Sequence, residues 1–144
     1  MIKLGIGCDH AAYQEKELLM EYLIDLGYEV LDFGCYSKQS VDYPDFGHKV
    51  GNAVNNGEID RGIVICGSGI GISIAANKIK GVRAALCTSD FHAEMSRKHN
   101  DSNIIAFGAR FSNIDDIKRM TKIWIETSFE GGRHLDRIRM IELW

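Results

Sequence analysis

Five short apolar runs alternate with longer segments whose apolar residues recur at helical spacing, and this alternation limits the chain to few folds. Lys3 to Gly7 predicts a first buried strand. Tyr13 to Leu26 predicts a helix with Leu18, Leu19, Tyr22, Leu23 and Leu26 on one face, stopped by Gly27. Tyr28 to Phe33 predicts a second strand, followed by a loop from Gly34 to Tyr43. Pro44, the only proline, stands where a helix can start, and that helix is expected to run to about Val54, ahead of Asn55-Asn56-Gly57. Gly62 to Cys66 is apolar throughout, as suits a central parallel strand covered on both faces. A turn from Gly67 to Gly71 and a helix from Ile72 to Ile79 follow. Val82 to Cys87 predicts a fourth strand, Asp90 to Lys98 a helix, Asn103 to Phe107 a fifth strand and Ile114 to Thr127 a long amphipathic helix. After Gly131-Gly132, the segment Arg133 to Leu143 carries Leu135, Ile138 and Ile141 at helical spacing. Strands alternating with helices imply one three-layer α/β/α doubly wound domain over residues 1–144, with a five-stranded, mostly parallel sheet. The glycine break predicts a final helix that leaves the main body and reaches toward a second subunit.

The chain has 144 residues, 45% hydrophobic and 26% charged, an ordinary globular balance. A net charge of −3 without a block of like charges argues against nucleic-acid binding through bulk electrostatics. The first residues run straight into a strand rather than forming a signal peptide. No apolar run reaches the roughly 18 to 20 residues that span a bilayer, so no membrane association is expected. The four cysteines, Cys8, Cys35, Cys66 and Cys87, form no C-x-x-C pair, so zinc and thioredoxin-like chemistry are not indicated. Scattered free thiols fit a reducing, cytoplasmic setting.

Ligands of open parallel sheets bind beyond the carboxyl ends of the strands. The residues expected there are Cys8-Asp9-His10, Asp42-Tyr43, Cys66-Gly67-Ser68-Gly69-Ile70-Gly71, Thr88-Ser89-Asp90 and Gly108-Ala109-Arg110, with His99-Asn100-Asp101 at the end of the following helix. The glycine-rich turn opens a helix, where amide groups and partial positive charge hold a phosphate or stabilise an oxyanion. It is no dinucleotide fingerprint, since Ile72 stands where the last glycine would be, and no Walker A loop. A plain strand–helix turn would read the same way. Cys66, placed just before it, tips the balance, because the start of a helix favours the thiolate. Neither Cys66 nor Cys8 has an arginine six positions on, where Ile72 and Gln14 stand, so a cysteine phosphatase is not indicated. Cys8, Cys35 and Cys87 read as inert packing. Arg133 and Arg137, four apart with His134 between them, could grip a phosphate or form a solvated face, and Arg110 is open to the same two readings. His48, His92 and His99 fit structural or surface roles equally well, and the histidines show no metal-binding spacing.

Taken together, the segments Gly7 to His10, Asp42 to Pro44, Ile65 to Lys78, Ser96 to Asp101, Phe107 to Arg110 and Glu130 to His134 resemble ribose-5-phosphate isomerase type B, of the family that includes the allose- and galactose-6-phosphate isomerases. Ser68 stands where threonine is common in that family and keeps the hydroxyl. The resemblance implies an aldose–ketose isomerase of the pentose phosphate pathway, interconverting D-ribose 5-phosphate and D-ribulose 5-phosphate through an enediolate. It implies Cys66 as the base moving the proton between C2 and C1. The amides of Gly67, Gly69, Ile70 and Gly71 and the Ser68 hydroxyl would stabilise the enediolate. It implies His99 as acid and base in ring opening, assisted by Asp9 or His10. Tyr43 and Asn100 would contact the sugar, and Arg110, Arg133 and Arg137 the phosphate. Some members use a glutamate one turn into the next helix, but Ser73-Ile74-Ala75-Ala76 holds no carboxylate. No metal or organic cofactor is implied, and a homo-oligomer, dimer or tetramer, with sites shared between subunits is. The rival readings are a six-carbon substrate, allose or galactose 6-phosphate; a non-catalytic sugar-phosphate sensor; and, more remotely, a flavodoxin-like or phosphorelay module.

Overall fold

The computed structural model describes residues 1–143. Five strands, β1 (Lys3–Cys8), β2 (Glu29–Asp32), β3 (Arg61–Cys66), β4 (Ala84–Leu86) and β5 (Ile104–Gly108), form one sheet in the order β2-β1-β3-β5-β4. Every pairing is parallel, so the sheet is wholly rather than mostly parallel. The helices are α1 (Tyr13–Asp25), α2 (Tyr43–Asn55), α3 (Ile70–Asn77), α4 (Asp90–Lys98), α5 (Ile114–Glu126) and α6 (Arg133–Ile141), with a 3₁₀ turn at His10–Ala12 before α1. Among the described residues, no helix is long and apolar enough to cross a membrane.

The continuous apolar runs are explained by helices on both faces of the sheet. Ile63, Val64 and Ile65 in β3, like Ile104, Ile105 and Ala106 in β5, are fully buried whichever face they point to. The edge strand β4 is shorter than Val82 to Cys87, and its residues are only half-buried. Helix α3 begins two residues earlier than its apolar spacing indicates, because Gly69, with φ +78°, turns the chain directly into the helix at Ile70.

The buried stripe of α1 also differs from expectation. Leu19 and Leu23 are buried, but Leu26 is exposed and Lys16 is fully buried. The Lys16 ammonium bonds both Asp32 carboxylate oxygens at 2.8 and 2.7 Å and Glu17 at 2.9 Å. Burial alone would lower its pKa, but the hydrogen bonds to Asp32 and Glu17 outweigh that and hold it above the ordinary lysine value. In α6 only Ile138 of the apolar triplet is buried, while Leu135 and Ile141 face outward. The end of that helix is tied back to the body by the Arg83–Glu142 ion pair at 2.6 Å.

The strand order fixes where a ligand can sit. From β1 the chain moves to one side, to β2. From β3 it moves to the other side, to β4, with β5 returning between them. The connections diverge between β1 and β3, and a crevice opens beyond their carboxyl ends.

Candidate active site

That crevice is a cavity of about 500 Å³ lined by Asp9, Tyr43, Cys66, Gly67, Ser68, Ile70, Gly71, Ile74 and Arg110. Cys66 ends β3 and is nearly enclosed, with 3% of its surface exposed. Its Sγ accepts a hydrogen bond from the Gly69 N–H at 3.2 Å. That bond fixes the sulfur at the start of α3, at the floor of the cavity. The Ser68 Oγ accepts from the Ile70 N–H at 3.1 Å, which leaves its own proton free to donate. Asp9 follows β1 directly, is buried, and accepts from the Ala11 N–H at 3.0 Å.

Close approaches of backbone to side chain explain the glycines. A Cβ on Gly71 would lie 2.5 Å from the Tyr43 ring, and one on Gly67 would lie 2.9 Å from the Arg110 guanidinium. Both side chains therefore rest directly on the glycine-rich turn. Arg110 is held there by main-chain bonds from Ala109 N to Cys66 O at 2.9 Å and from Arg110 N to Gly67 O at 3.0 Å.

The remaining sequence-derived residues lie elsewhere. His10 does not line the cavity; its Nδ1 sits 3.0 Å from the Val41 N and 3.1 Å from the Val41 O. Asn100 lines a different cavity, of about 400 Å³, with Asn77, Arg83 and Ile141 among its walls. His99 stacks on His134, with ring centroids 4.3 Å apart and planes at 15°. Arg133 and Arg137 are exposed on α6 beside that stack. The glycine-rich turn, Asp9, Tyr43 and Arg110 are thus brought to Cys66, whereas His99, Asn100, Arg133 and Arg137 are not part of the cavity's lining within one chain.

Two residues of the histidine cluster carried no assigned role in the sequence. The Glu130 carboxylate lies 3.6 Å from His99 Nε2 and 3.7 Å from His134 Nε2. The Glu130–His134 spacing of four was visible, but its approach to His99 depends on the chain returning to the end of α4, where the Glu130 N–H donates to the Lys98 carbonyl at 3.1 Å. Burial lowers the His134 pKa below the ordinary value, helped by neighbouring His99 and Arg133. The other cysteines are buried thiols: burial pushes Cys8 far up, with Cys35 3.8 Å away, and pushes Cys87 up to about 11. Both remain protonated near neutrality, in keeping with packing roles.

A parallel α/β domain whose switch point holds a cysteine against a glycine-rich helix start, with a carboxylate and a guanidinium lining the same cavity, has the groups that a proton-transfer enzyme for anionic substrates needs. The chain belongs to the family described as Ribose/Galactose Isomerase, whose model matches residues 4–141. It is 43% identical over 141 residues to ribose-5-phosphate isomerase B of Escherichia coli strain K12, covering 98% of this chain and 95% of that protein. Its fold is similar to that of ribose-5-phosphate isomerase B of Clostridium thermocellum, at a TM-score of 0.97 and 52% identity, covering 98% of this chain and 95% of the other. It is also similar to ribose-5-phosphate isomerase B from Mycoplasma genitalium with bound ribulose-5-phosphate, at a TM-score of 0.92 and 37% identity, with 97% and 93% covered.

Proposed function

We propose that this chain isomerises D-ribose 5-phosphate and D-ribulose 5-phosphate, with Cys66 as the proton-transferring base. The observation that carries the reading is the Cys66 sulfur, bonded by the Gly69 N–H at 3.2 Å, in a cavity whose polar groups face it. Isomerisation needs one base that reaches two adjacent carbons and donors for the oxyanion that forms between them. Cys66 takes the C2 proton of the open-chain aldose as electrons move onto the C1 oxygen; the hydroxyl proton passes from O2 to O1, and Cys66 returns its proton to C1 as the C2 carbonyl forms. The Ser68 hydroxyl and the first amides of α3 stabilise the enediolate oxygens. Asp9 and Tyr43 orient the sugar hydroxyls. Arg110, resting on Gly67, adds positive charge for the anionic substrate.

His99, Asn100, Arg133 and Arg137 complete the reading as the groups that open the furanose ring and grip the sugar and phosphate. They do not line the Cys66 cavity of their own chain, so we assign them to the cavity of a partner subunit in a homodimer. Four free cysteines without a disulfide support a cytoplasmic enzyme of sugar-phosphate metabolism.

The test is ribulose 5-phosphate formation from ribose 5-phosphate by chelator-treated protein, wild type beside Cys66→Ala. A loss of about 10³-fold in the variant is expected, within the roughly 10²- to 10⁴-fold that a general base supplies. Retained activity in the variant removes Cys66 as the base. A higher kcat/KM for allose or galactose 6-phosphate shifts the substrate to six carbons, and binding without turnover of any sugar phosphate makes the chain a sensor.

A further inference from the structure

Away from the Cys66 cavity, His99, Glu130 and His134 form the one group of three potential metal ligands among the described residues, their donor atoms all within 4.8 Å of one another. Ligand bonds of about 2.0 to 2.2 Å at tetrahedral zinc put neighbouring donors roughly 3.3 to 3.5 Å apart. The two carboxylate–imidazole separations here, 3.6 and 3.7 Å, are already close to that. The stacked rings must fan apart for their in-plane lone pairs to converge. Two of the three donors have the freedom to do so, since the His99 and Glu130 side chains are 42% and 47% exposed. His134, at 9%, is the fixed member.

The donor set also selects the ion. Two imidazoles and one carboxylate suit zinc and its first-row neighbours, while magnesium and calcium require oxygen ligands. Arg133 and Arg137 oppose any cation held by charge alone, which leaves ions that bond imidazole directly.

We propose that His99, Glu130 and His134 form an inhibitory site for a single zinc-class divalent ion, and that a bound ion withdraws His99 from proton transfer. The first half stands on the geometry of the cluster. The second rests on the reading of His99 as the ring-opening acid and base.

Cobalt(II), a zinc surrogate with visible absorption, reads the site directly. Titrating it into the wild type, Glu130→Gln and His134→Gln, each checked for native circular dichroism, should give an intense four-coordinate spectrum at one ion per wild-type chain. Both variants should bind at least about tenfold more weakly, the loss that even an outer-shell partner of a metal ligand causes. Zinc should inhibit ribose 5-phosphate isomerisation by the wild type, reversibly on chelation. At least about tenfold more zinc should be needed for each variant, every rate being taken relative to that variant's own metal-free rate. No four-coordinate spectrum, or equal cobalt affinity in all three proteins, overturns the site. Zinc inhibition that is equally strong in both variants puts the ion on the Cys66 sulfur and overturns the inhibitory role. A correct cobalt spectrum without zinc inhibition also overturns that role, and the activity of His99→Asn then shows whether His99 was misassigned or merely stays available with the metal bound.

Discussion

Lys16 carries its full positive charge with no exposed surface, and what it touches determines what its loss does. Removing one partner of a buried ion pair leaves the other charge uncompensated, at a cost of about 3 to 5 kcal/mol when both are fully enclosed. The Asp32 side chain keeps 27% exposure and also accepts the Gly34 N–H at 2.8 Å, so Lys16→Met should destabilise by a smaller amount, about 2 to 3 kcal/mol by urea unfolding. Adding Asp32→Asn to that variant should recover part of the loss. Cys87 titrates in the opposite sense to a salt-bridged acid. Its folded pKa of about 11 lies above the ordinary 9.0, so between those values the unfolded chain has lost a proton that the native one keeps. Stability therefore falls as pH rises through that window, and about 2 kcal/mol of the loss between pH 8 and pH 10.5 should vanish in Cys87→Ala. Buried Cys8 pulls in the same direction in both proteins, which is why the difference between them is the quantity to measure. None of this was legible from residue order, because an apolar template places no lysine in a core and the partner Asp32 arrives from the end of β2.

At the scale of elements, the turn from Gly67 to Gly71 is where local sequence and tertiary packing meet. Gly69 sits at φ +78°, and a Cβ there would lie 2.6 to 2.8 Å from Leu86, the Phe107 carbonyl carbon and the Gly108 nitrogen. Two of those three atoms are backbone, so Gly69→Ala should lower the melting temperature by several degrees and abolish activity together. At Gly71 the obstacle is the Tyr43 ring, a side chain that can swing away. Gly71→Ala should stay folded by thermal melting yet lose kcat/KM, because Tyr43 is displaced from the cavity. All five strands and six helices were legible from periodicity, and so was the cysteine before the turn. The early start of α3, the 3₁₀ turn at His10–Ala12 and the shortness of β4 were not. Each is settled by a contact distant in sequence: Gly69 against β5, the Asp9 N–H on the Ile65 carbonyl of β3, and β4 paired on one side only. The site divides along the same line. Residues next to a strand end, such as Asp9, Cys66 and Arg110, fall where strand order puts them, whereas the meeting of Glu130 with His99 and His134 depends on how the chain returns after α5.

For the whole molecule, the division of the sequence-derived groups between the Cys66 cavity and the region around α6 has a direct test. If each cavity takes its Cys66 from one subunit and its His99 from the other, Cys66→Ala and His99→Asn are each inactive alone. Unfolded together and refolded, half of the resulting dimers are mixed and each mixed dimer has one intact cavity, so about a quarter of wild-type activity should return. A single-chain site would return none, and sedimentation of the mixture would report the dimer itself. Exposed Leu135, Met140 and Ile141 on α6 supply apolar surface for such an assembly.

The place of β5 has a consequence for a chain that leaves the ribosome from its N-terminus. Strand β4 pairs with β5 alone, and β3 needs β5 on the side away from β1. Until residue 108 has emerged, the nascent chain can hold only the three strands β2-β1-β3, with the apolar run Ile63 to Cys66 as an open edge and β4 without a neighbour. Such an edge is the kind that pairs with other chains. A translational pause just before β5 would therefore prolong exposure of the most aggregation-prone surface, and one after it would not.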